Sequence, residues 1–168
     1  MSETNLKDIE NELDELSVRI LELMNDNISC KMDIERTVRS GCLDMAKTRY
    51  ILGNTSSVSA MKIPTEDLNP ISTVISSAED GKLSYELKRE PVQKVSSEDK
   101  SKNVNQDPLK WFGVLVPTNL RQAQSWFNKA LDLSVQSANI TVEINASLEK
   151  YDRLSSKKSS LKNVSDES

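Results

Sequence analysis

The positions Leu6, Ile9, Leu13, Leu16, Ile20 and Leu23, continued by Asn27, Cys30 and Ile34, advance by alternating threes and fours. On a helix this spacing keeps one narrow stripe turned toward a single neighbour, which is a heptad seam. Asn27 falls where the seam expects an apolar residue. Two readings of it stay open: a buried amide that fixes register at some cost in stability, or a local opening of the seam. Past Ile34 the spacing loosens through Val38, Gly41, Cys42, Met45 and Leu52, and Gly53-Asn54 supplies a helix stop. The first helix is therefore expected to run from Thr4 to Leu52, about 75 Å if straight.

A second pattern opens after Pro117, with Thr118 as an alternative cap. It recurs at Leu120, Ala123, Phe127, Leu131, Val135, Ala138, Val142, Ile144, Leu148, Tyr151 and Leu154, which predicts a helix ending near Ser156. Antiparallel pairing brings the acidic opening (Asp8, Glu10, Glu12, Asp14, Glu15) beside a basic end (Lys150, Arg153, Lys157, Lys158). Exposed pairs contribute only tenths of a kcal/mol each, so charge here selects orientation more than it stabilises. Between the helices the composition shifts to serine clusters with Pro64, Pro70, Pro91 and Gly81, broken by the β-compatible runs Val58–Ile63 and Lys82–Lys88. This reads as a mobile connection with room for a short strand pair or helical turn, and 96–105 as disordered.

The fold class expected is all-α: a long antiparallel helical hairpin, a coiled coil, with a largely disordered connecting segment. Residues 1–53 form the first long helix and 54–105 a flexible linker with short ordered pieces. Residues 106–156 carry a Trp-Phe motif and the second long helix, and 157–168 a polar tail.

Composition narrows the function. The 168 residues are 36% hydrophobic and 29% charged, with a formal net charge of −4, which suits stripe-packed helices better than a layered core. It also argues against general affinity for nucleic acid, which needs a basic surface to displace counterions from phosphates. The chain has no histidine, so a Ser-His-Asp triad, imidazole acid–base chemistry and a His-ligated metal are excluded. Its glycines, Gly41, Gly53, Gly81 and Gly113, are scattered, which leaves no phosphate-cradling loop. The carboxylates fall mainly on solvent faces, and Met24, Met32 and Met45 read as seam filler. The expectation is a protein that is not an enzyme, with no cofactor and no metal site. Cys30 and Cys42, about 18 Å apart along one helix, cannot pair with each other and read as small packing residues in a reducing compartment. The polar opening Met1–Asn5 lacks signal-peptide character, and the Asn-x-Ser/Thr matches such as Asn139-Ile140-Thr141 read as chance. No apolar run is long enough to span a bilayer, Trp111–Val116 coming nearest, so membrane association is expected only through a partner.

Aromatics are scarce, yet Trp111, Phe112, Trp126 and Phe127 cluster where the connection meets the second helix. Such concentration fits either an interface anchor or an internal clasp. The run Gln106-Asp107-Pro108-Leu109-Lys110-Trp111-Phe112-Gly113-Val114-Leu115-Val116-Pro117, followed by Leu120-Arg121-Gln122-Ala123-Gln124 and Phe127, closely resembles the signature of the coiled-coil-domain-containing assembly factors of the vacuolar proton-pumping ATPase. Leu43-Asp44-Met45-Ala46-Lys47-Thr48-Arg49-Tyr50-Ile51-Leu52-Gly53 looks like the same family's end of the first helix. With the amino-terminal seam the match covers both helices, while the linker does not match in detail.

The resemblance implies a non-enzymatic, chaperone-like factor, peripheral on the cytosolic face of the endoplasmic reticulum. It would pair with a transmembrane assembly protein and help build the membrane-embedded sector of the pump. Family members are also associated with transport between endoplasmic reticulum and Golgi and with endolysosomal acidification. The competing reading is a coiled-coil tether or scaffold adaptor in vesicle traffic, which explains the helices but not the Trp-Phe motif. The residues expected to bind a partner or clasp the hairpin are Asp107, Pro108, Trp111, Phe112, Gly113, Leu115, Pro117, Arg121, Arg49 and Tyr50. Trp111, Phe112 and Leu115 are expected to join Tyr50 and Leu52, Arg49 and Arg121 to bond around the junction with Asp107 as the nearest acceptor, and Gly113 to allow a sharp turn.

Overall fold

The computed structural model describes residues 2–53, 69–79, 81–91, 107–112 and 115–166. Two long helices, α1 (Ser2–Leu52) and α2 (Thr118–Asp166), lie antiparallel along each other. Their direction is fixed by ion pairs whose numbers rise on one helix as they fall on the other: Glu10 to Lys158 at 2.9 Å, Glu12 to Lys150 at 2.7 Å and Arg19 to Glu143 at 2.7 Å. The first two join the acidic opening to the basic end. The α2 helix continues beyond Ser156, where Ser159 and Ser160 donate to the carbonyls of Ser155 and Ser156, both at 3.1 Å, so these hydroxyls are satisfied within helical geometry.

Ile9, Leu13, Ile20, Leu23 and Cys30 are buried along α1, and Leu120, Ala123, Ala130 and Ile144 are buried along α2. Beyond Cys30 the α1 seam loosens in composition but not in geometry. Thr37, Gly41, Asp44 and Thr48 are buried in the same three-four rhythm, whereas Val38, Cys42 and Met45 are exposed. The polar seam members are tolerated because they are satisfied locally. Thr37 Oγ1 donates to the carbonyls of Asp33 (2.8 Å) and Ile34 (2.9 Å), Thr48 Oγ1 to that of Asp44 (2.8 Å), and the Asp44 carboxylate takes the Lys47 ammonium at 3.0 Å. Asn27 is bonded across the seam: Ser137 Oγ donates to its Oδ1 at 2.8 Å, and its Nδ2 donates to Thr141 Oγ1 at 3.4 Å. Asn27 is half-buried, so the amide links the two helices at this level without being enclosed.

The all-α expectation is corrected by a β-hairpin. Strand β1 (Ser72–Glu79) pairs antiparallel with β2 (Lys82–Arg89), in a register running from Glu79 opposite Lys82 to Ser72 opposite Arg89. An Asp-Gly dipeptide joins the strands, and Gly81 has φ 75°, a conformation glycine adopts without Cβ strain and two-residue hairpins require. Two strands alone are marginal in water, so docking decides the outcome. Asn139 of α2 grips the outer edge of β2 like a residue of a third strand, its Oδ1 accepting the Tyr85 N–H at 2.8 Å and its Nδ2 donating to the Tyr85 carbonyl at 2.9 Å. Arg89 donates to the Asn128 carbonyl (3.0 Å) and the Asp132 carboxylate (2.8 Å).

The α2 helix thus carries two working faces. Asn128, Asp132 and Asn139 hold the hairpin and repeat by fours and threes with Val135, Val142 and Ala146, while the α1-facing row passes through Ala130, Ser137 and Ile144. Leu131 and Leu148, placed on the seam by the sequence reading, are exposed at 43% and 37%. Among the described residues no helix is long and apolar enough to cross a membrane. The run Val58–Ile63, the 96–105 stretch and Gly113 lie outside the described residues.

Candidate functional site

The candidate site forms where α1 ends, α2 begins and the base of the β-hairpin comes alongside. A 3-10 helix, Pro108–Phe112, sits at this junction. Asp107 builds it: its Oδ1 accepts the Leu109 N–H at 3.0 Å and its carbonyl accepts the Lys110 N–H at 3.0 Å, a side-chain cap on an otherwise unsatisfied turn. Pro108 follows at the first helical position, where a missing N–H costs nothing. The same Oδ1 also takes Gln124 Nε2 at 3.0 Å, tying the 3-10 helix to α2. Pro117 opens α2, its carbonyl accepting the N–H groups of Leu120 (3.1 Å) and Arg121 (3.4 Å).

Phe112 is half-buried between two openings. With Met45 and Leu120 it lines a cleft of about 550 Å³, completed by Asp107, Pro108 and Leu109, by Phe127 and Gln124 of α2, and by Ile71 and Arg89 of the hairpin base. The same three residues line a cavity of about 230 Å³ bounded by Thr48, Arg49, Leu52 and Gly53. Both sequence signatures therefore meet at one end of the molecule. Trp111 is half-buried, and among the described residues its buried indole N–H meets no acceptor, an arrangement that costs about 1 to 3 kcal/mol relative to a bonded donor. Tyr50 and Leu115 project outward, each 90% exposed. Arg49 and Arg121 are exposed, and among the described residues neither guanidinium reaches a carboxylate; the Asp107 oxygen expected for them is taken by Gln124.

Gly41, part of the α1 pattern in the sequence, fits under Phe127: a Cβ there would meet ring atoms at 3.0 to 3.2 Å. Sequence reasoning missed three contributors. Ile71 and Arg89 line the large cleft but come from the segment read as connection. Asn139 gave no local signal, since its role appears only once β2 lies against it. Burial pushes the Cys30 thiol pKa up, aided by the Asp33 charge, and its Sγ donates to the Leu133 carbonyl at 3.2 Å, so it is held as a neutral packing group. Among the described residues no group of three or more Cys, Asp or Glu is placed to hold a metal ion.

A family model described as Vma22/CCDC115 matches residues 54–130. The chain is also 29% identical over 152 residues to the mouse vacuolar ATPase assembly protein VMA22, covering 80% of this chain and 84% of the relative. The chain is similar to the Vma22/CCDC115 family. The human VMA22 is 28% identical over 151 residues, covering 79% and 83% of the two chains. That of Danio rerio is 27% identical over 169 residues, covering 76% and 81%. The span matched by the Vma22/CCDC115 model starts just beyond α1 and ends at Ala130, so it takes in the β-hairpin, the 3-10 helix and the start of α2. The connection, which the sequence reading found without detailed resemblance, thus lies inside the span that the family model matches.

Proposed function

We propose that this chain is a non-enzymatic assembly factor of the vacuolar ATPase. It acts at the cytosolic face of the endoplasmic reticulum, paired with a transmembrane partner, on the membrane-embedded sector of the pump. The observation that carries this reading is its alignment over 80% of its length with a relative named as a vacuolar ATPase assembly protein. The convergence of the Trp-Phe motif with the end of α1 supports it, since a factor without catalytic groups works by presenting surface. Asp107, Pro108, Trp111, Phe112 and Pro117, with Gly113 in the same run, are assigned to shaping the junction. Arg49, Tyr50, Leu115 and Arg121 are assigned to its outward side.

Affinity capture from detergent-solubilised membranes tests the reading. Recovery of membrane-sector pump subunits with a small membrane protein, reduced by Trp111→Ala with Phe112→Ala in a chain that stays helical, is the expected result. Recovery of vesicle-tethering subunits instead, with no pump subunit, overturns it in favour of a tether.

A further inference from the structure

Charge and apolar exposure are distributed unequally between the two ends of the hairpin. At the far end cations and anions neutralise one another, as Lys158 with Glu10 and Lys150 with Glu12. At the junction end the acids among the described residues are engaged within the fold, Asp44 by Lys47, Asp107 by Leu109 and Gln124, and Glu90 by Lys88. Arg49, Lys110 and Arg121 are all exposed there, and among the described residues none has a carboxylate within ion-pair distance. Among the described residues, a chain of net charge −4 thus gathers three cations without an ion-pair partner at one tip. The same tip carries Tyr50 and Leu115, each 90% exposed, and Ile51 at 61%. These side chains stand out from the surface.

We propose that this tip touches a lipid bilayer directly. Tyr50, Ile51 and Leu115 enter the boundary between headgroups and acyl chains, while Arg49, Lys110 and Arg121 bind anionic headgroups. Protruding aliphatic side chains, an amphipathic tyrosine ring and neighbouring cations are the chemistry such an interface recognises. The tip assignment goes beyond the function proposed above, in which the membrane is reached through a partner, and does not depend on the pump.

Flotation of the purified full chain with phosphatidylcholine vesicles, with and without phosphatidylserine, tests it without any partner. Binding is expected only with phosphatidylserine, and it is expected to weaken as salt is raised. Arg49→Gln and Arg121→Gln are each expected to lower partitioning about five-fold. Tyr50→Ser combined with Leu115→Ser is expected to abolish it, with helical content unchanged because both side chains are exposed. Lys158→Gln at the far end is expected to leave it unaltered. Absence of flotation with phosphatidylserine vesicles, or flotation indifferent to the tip substitutions, overturns the proposal. If the tip variants lose pump subunits in detergent while the unmodified chain ignores vesicles, the tip is a protein-docking surface and the proposal also fails.

Discussion

Replacing Gly41 with alanine sets two effects of similar size against each other. Within a helix the change should stabilise by about 1 kcal/mol through backbone entropy. The new Cβ, however, would stand 3.0, 3.1 and 3.2 Å from Cζ, Cε2 and Cε1 of Phe127, against about 3.5 to 4.0 Å for favourable carbon contacts. The ring or the helix must withdraw by roughly half an ångström, and an added methyl in a fitted seam typically costs about 1 to 3 kcal/mol. Phe127 is half-buried and lines the cleft of about 550 Å³, so the ring has somewhere to go and the cost belongs at the lower end. The net expectation for Gly41→Ala is a change between zero and about 1 kcal/mol of destabilisation. A double-mutant cycle with Phe127→Leu isolates the contact: in that background Gly41→Ala should stabilise by about 1 kcal/mol, leaving a coupling of about 1 kcal/mol or more. Urea unfolding followed by far-ultraviolet circular dichroism measures all four corners. Stabilisation of about 1 kcal/mol in both backgrounds would mean that Phe127 does not occupy the space beside Gly41, and the reasoning fails.

Asn139→Ala removes both bonds to the Tyr85 backbone and should weaken hairpin docking by about 1 to 3 kcal/mol. Amide exchange at Tyr85 should rise far more than in the α1–α2 seam, and equal increases in both would refute a separately docked hairpin. Trp111→Phe keeps most of the apolar area and deletes the unbonded N–H, so its stability should stay within about 1 kcal/mol of the parent, while Trp111→Ala should cost about 2 kcal/mol or more. If phenylalanine is as costly as alanine, the indole N–H has an acceptor after all. For pH, the hydrogen bond from Lys158 and its charge hold the Glu10 carboxyl below its ordinary value of 4.5. The pair's contribution is therefore fully present above that value and is lost as pH falls through the lower folded one. Thermal unfolding measured against pH should lose this component of its acid limb in Lys158→Met, and an unchanged acid limb would show that the pair does not couple to folding.

The first half of the α1 seam was legible because leucines and isoleucines mark every turn. Its second half was hidden, since Thr37, Gly41, Asp44 and Thr48 carry no hydrophobic signal and are buried through bonds within their own helix. In α2 the larger residues, Leu131 and Leu148, drew the reading away from Ala130 and Ser137, because one helix serving two neighbours blurs a single stripe. The hairpin had its marks in the Asp-Gly dipeptide and the alternating Leu83, Tyr85 and Leu87, but proline and serine around them outweighed a two-stranded unit that forms only against α2. At the junction the rarity of aromatics drew attention to the Trp-Phe run. The partner of Asp107 did not show, because Gln124 comes within reach only when the 3-10 helix folds back over α2.

The division of the α1 seam has a mechanical consequence. From Ile9 to Cys30 the buried side chains of α1 are branched or sulfur-bearing, whereas from Thr37 to Thr48 they are short. At the junction α1 therefore brings few large groups to the seam, and what closes that end is Leu120 and Phe127 of α2. The hairpin behaves as tongs gripped by both arms at one end and by one arm at the jaw, and the jaw is the end that carries Trp111 and Phe112.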